Sequence, residues 1–430
     1  MHREVIEELV DWKESADRMP LILEGVRQCG KTYILKEFGK AFYEDVAYFN
    51  FEEDPRIHPL FDGVLDPARI IKELGLVREK KIEPGKTLVI FDEIQDCGRA
   101  LTSMKYFCEK SPEYHIAAAG SLLGVRMSKP HSFPVGKVDK IRMGPMNFKE
   151  FLIASGREMT VGNIAAGGEV SEPIADMLWD ILKTYLVVGG MPRAVSTWIR
   201  TGDIAAVEKI QDSILNEYEM DFSKYAEAEH SKLSAIWSSI PAQLSKDNSK
   251  FMFGHVRTGG RSRDLEDALW WLVNAGLVHK VDLAERPEVP IFINADASHF
   301  KLYMSDAGLL RRMAGIPPGF TFVDGKDNGL YRGMAAENFV MCELASYGLK
   351  PCYWRSGGRA EVDFIIQSGS DVIPIEVKAG NSSHSKSLSE YILRYSPKTA
   401  VITSMERAEK SDARSVPMYE LWSFLQGLQR

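Results

Sequence analysis

Continuous apolar runs alternate with amphipathic stretches along the first third of the chain. Leu21-Ile22-Leu23 and Leu88-Val89-Ile90-Phe91 are such runs, and they are typical of strands buried on both faces of a parallel sheet. Apolar residues recur at helical spacing in residues 1–19 and 66–81. This pattern predicts an α/β fold built on a parallel sheet.

The loop after the first apolar run has the spacing of a phosphate-binding loop, because Gly25, Gly30, Lys31 and Thr32 satisfy G-x-x-x-x-G-K-[ST]. Glycines let backbone N–H groups face a phosphate, the lysine reaches the β- and γ-phosphates, and the hydroxyl can ligate Mg²⁺. The sequence therefore predicts a site for ATP and Mg²⁺. Its nucleotide-binding residues are Gly25, Val26, Arg27, Gln28, Cys29, Gly30, Lys31 and Thr32.

Two carboxylates, Asp92 and Glu93, directly follow the second apolar run. Ligands of open α/β sheets bind at the carboxyl ends of the strands. We expect Asp92 to hold Mg²⁺ together with Thr32, and Glu93 to act as general base toward the attacking water. With Lys31, these residues form the predicted catalytic set. A solvated strand end is the alternative, and the preceding phosphate loop favours hydrolysis.

Ser121 follows a third predicted strand, His115–Gly120. Two interpretations stay open for this serine. It senses the γ-phosphate and belongs to the catalytic set, or it is an ordinary serine of a turn or a helix N-cap.

Four segments together resemble one family, the prokaryotic AAA+-like ATPases with an attached C-terminal domain of unknown function. They are residues 25–32, Phe91-Asp-Glu-Ile-Gln95, Gly120-Ser-Leu-Leu-Gly124 and Pro145-Met-Asn-Phe-Lys-Glu-Phe151. The resemblance implies a P-loop ATPase core over residues 1–155 and a helical lid over residues 156–230.

Residues 231–315 resemble a winged helix-turn-helix. Ser262 to Asn274 is predicted as its strong helix, and Leu277–Leu283 and Lys301–Met304 as the strands of the wing. Arginines near the start of the helix make DNA a candidate partner. The acidic residues Asp264, Glu266 and Asp267 in its first turns oppose phosphate contact, so a protein-interaction module stays open.

Residues 316–430 carry a second set of charged residues. Alternation places Asp363 on one strand, and Glu376 and Lys378 on one face of the next strand. Two carboxylates and a lysine are used in metal-dependent phosphodiester cleavage. The segment resembles the PD-(D/E)xK nuclease core, which implies that Glu337 is the acid of the helix. A solvated strand face is the alternative.

Composition excludes few functions. A net charge of −7 gives no general indication of nucleic-acid binding. Five scattered cysteines without a C-x-x-C pair suggest reduced thiols and a cytoplasmic protein, and we predict no secretory signal and no membrane-spanning segment. Self-association is a further expectation.

The sequence favours an ATP-hydrolysing protein of α/β class that uses Mg-ATP to control a nuclease-like module with a mixed α/β fold, for which DNA is a candidate partner. The alternative is a nucleotide-switched binding or signalling protein whose C-terminal domain is catalytically inactive.

Overall fold

The computed structural model describes residues 1–120, 134–223, 227–246, 250–257, 260–319, 329–358, 360–380, 385–405 and 413–428. The chain divides into two compact units. The first comprises Met1–Gly144 with Asn274–Gly276, and the second comprises Pro145–Val273 with Leu277–Arg430.

The first unit is built on five parallel strands, in the order β2-β3-β4-β1-β5. Its strands are β1 (Leu21–Glu24), β2 (Asp45–Asn50), β3 (Thr87–Asp92), β4 (His115–Gly120) and β5 (Asp139–Arg142). Its helices are α1 (Val5–Glu14), α2 (Lys31–Phe42), α3 (Pro67–Val77) and α4 (Gly98–Lys110). The predicted parallel-sheet α/β architecture is confirmed.

Burial of β3, an interior strand of this sheet, explains why its sequence is almost entirely apolar. Every residue of β3 is buried, because β2 and β4 pair with its two edges and side chains cover both faces. Phe91 packs edge-on against Phe51 and Phe61, with ring centroids 5.6 and 5.7 Å apart. Asp92 therefore follows directly after a strand residue that is packed in an aromatic core.

In the described part of the chain, the second unit contains twelve α-helices, and most of them precede the strands of its sheet in the sequence. They are α5 (Phe148–Ala154), α6 (Glu158–Ala165), α7 (Glu172–Val188), α8 (Pro192–Thr201), α9 (Ile204–Ser223), α10 (Glu227–Leu244), α11 (Phe253–Val256), α12 (Ser262–Asn274, whose last residue groups with the first unit), α13 (Ala307–Met313), α14 (Gly329–Ser346), α15 (Lys386–Tyr395) and α16 (Leu421–Gly427). The predicted helix at Ser262–Asn274 is present.

Helix α5 begins at a capping box within the segment Pro145–Phe151. The Asn147 side chain accepts a hydrogen bond from the Glu150 N–H at 2.8 Å, and the Glu150 carboxylate accepts one from the Asn147 N–H at 3.2 Å. Both groups satisfy N–H donors that the first helical turn leaves unpaired. This segment, which contributes to the family resemblance, therefore has the structural role of starting a helix.

The sheet of the second unit has seven strands of mixed direction, in the order β12-β11-β10-β9-β8-β6-β7. They are β6 (Val278–Ala284), β7 (Ala295–Met304), β8 (Cys352–Arg355), β9 (Glu361–Ser368), β10 (Asp371–Lys378), β11 (Val401–Ser404) and β12 (Arg414–Pro417). The mixed α/β character predicted for the C-terminal segment is present.

This sheet crosses the domain boundary that the sequence predicts at residue 315. Strands β6 and β7, predicted as the wing of a separate module, pair antiparallel with each other. Strand β6 also pairs in parallel with β8, where Asp282 is opposite Cys352. Alternation along one strand does not identify a partner about 70 residues away in sequence, so a shared sheet could not be foreseen.

A buried aspartate fixes the glycine pair that precedes helix α8. Asp306 accepts hydrogen bonds from the Gly190 N–H at 2.6 Å and from the Leu309 N–H at 2.8 Å. A Cβ on Gly190 would lie 2.0 Å from the Met146 carbonyl oxygen, so only glycine fits there. Burial raises the pKa of Asp306 to about 6, although the surrounding N–H donors act to lower this pKa.

The raised pKa of Asp306 predicts a pH-dependent stability. The folded chain binds this proton more tightly than the unfolded chain, whose carboxyl has the ordinary pKa of 3.8. The free energy of unfolding should therefore fall as the pH rises from about 4 to about 6, by about 3 kcal/mol for this group. Urea denaturation across this range measures the change.

Asp306→Asn is the matched variant, because asparagine retains an acceptor oxygen and does not titrate. The difference in unfolding free energy between wild type and variant should then change across this pH range. Curves that stay parallel from pH 4 to pH 6 would show that Asp306 titrates normally.

Candidate nucleotide-binding site

The loop between β1 and α2 has a backbone that requires glycine at two positions. Gly30 has a φ of +97°, in the left-handed region, and immediately precedes the first residue of α2. A Cβ on Gly25 would lie 2.1 Å from the Met143 carbonyl oxygen. Glycine is thus required at position 30 by the left-handed backbone conformation, and at position 25 by the close approach of the Met143 carbonyl group.

Side chains hold this loop from within the first unit. The Lys31 ammonium donates to the carbonyl oxygens of Gly25 and Val26, at 2.8 and 3.0 Å. The Arg3 guanidinium donates to the Cys29 carbonyl oxygen at 2.9 Å, and the buried Cys29 thiol donates to the Met143 carbonyl oxygen at 3.3 Å.

The middle of the loop is more open than Cys29. Arg27 and Gln28 are partly exposed, and Gln28 also has a left-handed backbone, with a φ of +66°. Gly25–Gly30 therefore form the turn between a buried strand and a helix, and Lys31 and Thr32 are the first two residues of that helix, which is the arrangement that binds phosphate.

Asp92 joins this loop to the sheet. Its side chain is buried, and its Oδ2 accepts a hydrogen bond from the Thr32 hydroxyl at 2.8 Å. The same oxygen accepts a second hydrogen bond from the Tyr48 hydroxyl, also at 2.8 Å. The structure thus brings the predicted metal ligands Thr32 and Asp92 into direct contact.

Tyr48 belongs to the site, but the sequence pattern did not identify it. It lies on β2, and its hydroxyl accepts a hydrogen bond from the Asn50 side chain at 3.2 Å. The Lys36 ammonium lies 3.4 Å from the centre of its ring. Burial and the neighbouring Asp92 raise the pKa of Tyr48 above its ordinary value, so its hydroxyl stays a donor at neutral pH.

Glu93 directly follows the strand in a left-handed conformation, with a φ of +48°, at the start of the short 3₁₀ helix Ile94–Asp96. Its backbone N–H donates to Asp92 Oδ1 at 3.1 Å. The Gln95 amide donates to the Glu93 carboxylate. The predicted general base is therefore oriented by a neighbouring amide. Ser121 lies outside the described residues.

The donor set fits an ATP-bound magnesium ion. Mg²⁺ prefers oxygen ligands, keeps several waters, and is usually bound by one or two protein groups together with phosphate oxygens. Thr32 and Asp92 supply a hydroxyl and a carboxylate oxygen at adjacent positions beside the loop.

The second predicted set of charged residues lies on the sheet of the second unit. The Asp363 carboxylate accepts a hydrogen bond from the Val377 N–H at 2.8 Å, which links β9 to β10. The Lys378 ammonium donates to Glu376 at 2.6 Å. Glu337, on α14, accepts a hydrogen bond from the Tyr303 hydroxyl at 2.8 Å.

The charges of the other two carboxylates act on Asp363. Burial raises the pKa of Asp363 well above its usual range, and the charges of Glu376 and Glu337 raise it further. The predicted residues are therefore close enough to interact electrostatically. Even so, no group of three or more His, Cys, Asp or Glu side chains in the described part of the chain is arranged to hold a metal ion.

Lys301 is the residue that sequence reasoning missed in this region. Its ammonium lies 2.7 Å from the Glu361 carboxylate and 3.5 Å from the Glu337 carboxylate. It belongs to β7, which sequence analysis assigned to a different module, so no local pattern connected it with these acids.

Three family models match separate parts of the chain. Residues 17–152 match an AAA domain, residues 180–319 match a domain of unknown function (DUF8612), and residues 332–421 match another domain of unknown function (DUF4143). The first match contains the glycine loop, Tyr48 and Asp92. Residues 17–152 are therefore similar in sequence to AAA domains, and the parallel sheet and glycine loop described above agree with that similarity. No curated protein matches the chain.

Several solved structures show a distant similarity to the chain. They include the Aeropyrum pernix ORC1 protein in complex with DNA (11% identity, 73% of this chain and 91% of that chain, TM-score 0.30), AMPPCP-bound DnaA from Aquifex aeolicus (12%, 63% and 86%, 0.30) and the Thermotoga maritima RuvB Holliday junction branch migration motor (12%, 65% and 89%, 0.30). At these TM-scores the domain assignment rests on the AAA model, the parallel sheet and the loop.

A search of the described helices for a membrane span found none of sufficient length and apolar character.

Tyr48→Phe should destabilise the first unit. The substitution removes one of two hydroxyl donors to a buried carboxylate, and such a bond contributes about 1.5–3 kcal/mol. We expect the midpoint of thermal unfolding to fall by several degrees. Tyr33→Phe is the matched control. Tyr33 is half exposed on α2, so the loss of its hydroxyl group should leave the midpoint unchanged. Equal midpoints for the two variants would show that Tyr48 does not support Asp92.

Proposed function

We propose that this chain binds Mg-ATP at Gly25–Thr32 and hydrolyses it to ADP and phosphate. The observation that carries the proposal is the 2.8 Å hydrogen bond from the Thr32 hydroxyl to Asp92. It joins a glycine-bounded loop at a helix N-terminus to a buried carboxylate at the end of a strand in the same sheet. The match of residues 17–152 to an AAA domain supports it.

Each residue of the site then has a role. Backbone N–H groups of the loop bind the phosphates, and Lys31 exchanges its loop carbonyl partners for β- and γ-phosphate oxygens. Thr32 and Asp92 hold Mg²⁺, which neutralises charge that develops on the phosphates. Tyr48 fixes the Asp92 carboxylate by its hydrogen bond.

Glu93 acts as general base in this proposal. It accepts a proton from water as the water oxygen bonds to the γ-phosphorus and the bond from that phosphorus to the bridging oxygen of ADP breaks. Gln95 orients the Glu93 carboxylate through its amide. Ser121 stays a candidate sensor of the γ-phosphate.

We further propose that the nucleotide state of residues 1–155 controls the rest of the chain. The helical lid (156–230) and the winged-helix segment (231–315) would connect it to the nuclease-like segment (316–430). DNA is the proposed partner of the C-terminal half, and self-association and a cytoplasmic location remain part of this proposal.

The second candidate is a nucleotide-switched binding protein that does not cut nucleic acid. The absence of a metal-holding group among the described carboxylates favours it over an active nuclease. It predicts that wild-type protein with Mg²⁺ or Mn²⁺ shifts linear, branched or single-stranded DNA in a gel without cleaving it. Cleavage that is lost in Asp363→Ala would favour the nuclease instead.

The ATPase proposal predicts phosphate release from Mg-ATP by the purified chain. Glu93→Gln should lower kcat by about 100-fold or more, because general-base catalysis contributes a factor of about 10²–10⁴. Lys31→Ala should remove turnover through lost phosphate binding. A phosphate-release assay over a range of ATP concentrations measures both.

Lys40→Ala is the matched lysine control. Lys40 lies on the same helix as Lys31, is exposed, and pairs with Glu37 at 2.8 Å. Its substitution should leave kcat and KM unchanged. Full turnover in Glu93→Gln would remove Glu93 from the role of base, and turnover in Lys31→Ala would contradict the assignment of the loop.

A further inference from the structure

A buried lysine lies within a group of acidic side chains in the second unit. We call this group the carboxylate cluster, and its members are Glu337, Glu361, Asp363 and Glu376. The Lys301 side chain is 1% exposed, and its ammonium contacts Glu361 at 2.7 Å and Glu337 at 3.5 Å. Lys301 is thus enclosed by groups of opposite charge.

The burial of Lys301 and the charge of the cluster depend on each other. An ammonium group removed from water costs several kcal/mol unless it is paired, and unpaired neighbouring carboxylates carry a similar cost. Burial alone would lower the pKa of Lys301, but the surrounding negative charge, with Glu337 its largest source, holds this pKa well above its usual value. The lysine therefore stays charged and compensates the acids.

Glu376 supplies the cluster with a free acceptor. Glu376 is 5% exposed, and its Oε1 accepts hydrogen bonds from Lys378 at 2.6 Å and from the Ser385 hydroxyl at 2.7 Å. Its Oε2 is buried and has no hydrogen-bond partner among the residues that the structure describes. This oxygen is an acceptor that no described residue occupies, so it is available to a cation once the positive charge of Lys301 is removed.

We propose that Lys301 is a built-in cation that takes the place of a divalent metal ion in the carboxylate cluster. The wild-type cluster then binds no metal ion, and a neutral side chain at position 301 converts it into a site for Mn²⁺ or Mg²⁺. No three acidic side chains of the described residues are arranged to hold a metal ion, and we attribute this arrangement to the Lys301 ammonium, which contacts both Glu361 and Glu337. Without this ammonium, the cluster offers the oxygen ligands that these ions prefer. This inference concerns the second unit alone, so it stands or fails separately from ATP hydrolysis.

The test uses the full chain without nucleotide, in an Asp92→Asn background that removes the metal ligand of the ATPase domain. Adding Lys301→Met should lower the midpoint of thermal unfolding in EDTA, because the acids lose their buried partner. Mn²⁺ at about 1 mM should then raise this midpoint by several degrees. The background protein should shift by less than about one degree.

Lys280→Met is the matched lysine control. The Lys280 side chain is 8% exposed and pairs with Asp282 two residues further along β6, and no second acid contacts it among the described residues. Its loss should lower the midpoint without creating a response to Mn²⁺. Asp363→Asn added to Lys301→Met should abolish the Mn²⁺ response and so locate the ion.

Mn²⁺ binding by electron paramagnetic resonance supplies a test on protein with Lys301 intact. The Asp92→Asn protein should bind the same amount of Mn²⁺ with and without Asp363→Asn. A decrease caused by Asp363→Asn would overturn the proposal, because metal and Lys301 would then occupy the cluster together. A folded Lys301→Met chain that gains no Mn²⁺ binding would overturn it as well.

Discussion

The hydrogen bond between Thr32 and Asp92 is the contact on which the proposed chemistry depends. It unites a helix N-terminus and a strand end that are about 60 residues apart in sequence. The parallel sheet makes the contact possible, because the carboxyl ends of β3 and β1 lie on the same side of the sheet, with β4 between the two strands. The aromatic packing of Phe91 then holds Asp92 on that side.

The two units use carboxylates in different ways. Asp92 accepts hydrogen bonds from the neutral hydroxyl groups of Thr32 and Tyr48, and neither of these partners carries a compensating positive charge. In the carboxylate cluster, ammonium groups already contact the acids, Lys301 at Glu361 and Lys378 at Glu376. A carboxylate on a strand is thus suited to Mg-ATP in the first unit, whereas in the second unit its charge is compensated by a lysine of the same chain.

Much of the nucleotide site could be predicted from the sequence because its pattern is local. The loop is predicted by the spacing of Gly25, Gly30, Lys31 and Thr32. The buried strand is predicted by the apolar run before Asp92. The role of Tyr48 could not be predicted in this way, because an aromatic residue in a strand is compatible with ordinary core packing. Its contact with Asp92 depends on the pairing of β2 with β3.

The C-terminal region was harder to predict because its key contacts are distant in sequence. Alternation placed Asp363, Glu376 and Lys378 correctly on two adjacent strands. Lys301 reaches the cluster only because β6 and β7 join the same sheet, and that pairing has no local sequence pattern. The prediction of separate modules therefore concealed the residue that neutralises the acids.

The most direct test of the central claim is the effect of Mg²⁺ on ATP affinity, measured by isothermal titration calorimetry. If Thr32 and Asp92 form the magnesium site beside the loop, wild-type protein should bind ATP more tightly with Mg²⁺ than in EDTA. Asp92→Asn should lose most of that difference while it retains ATP binding in EDTA. An unchanged Mg²⁺ effect in Asp92→Asn, or no ATP binding by wild type, would contradict the account.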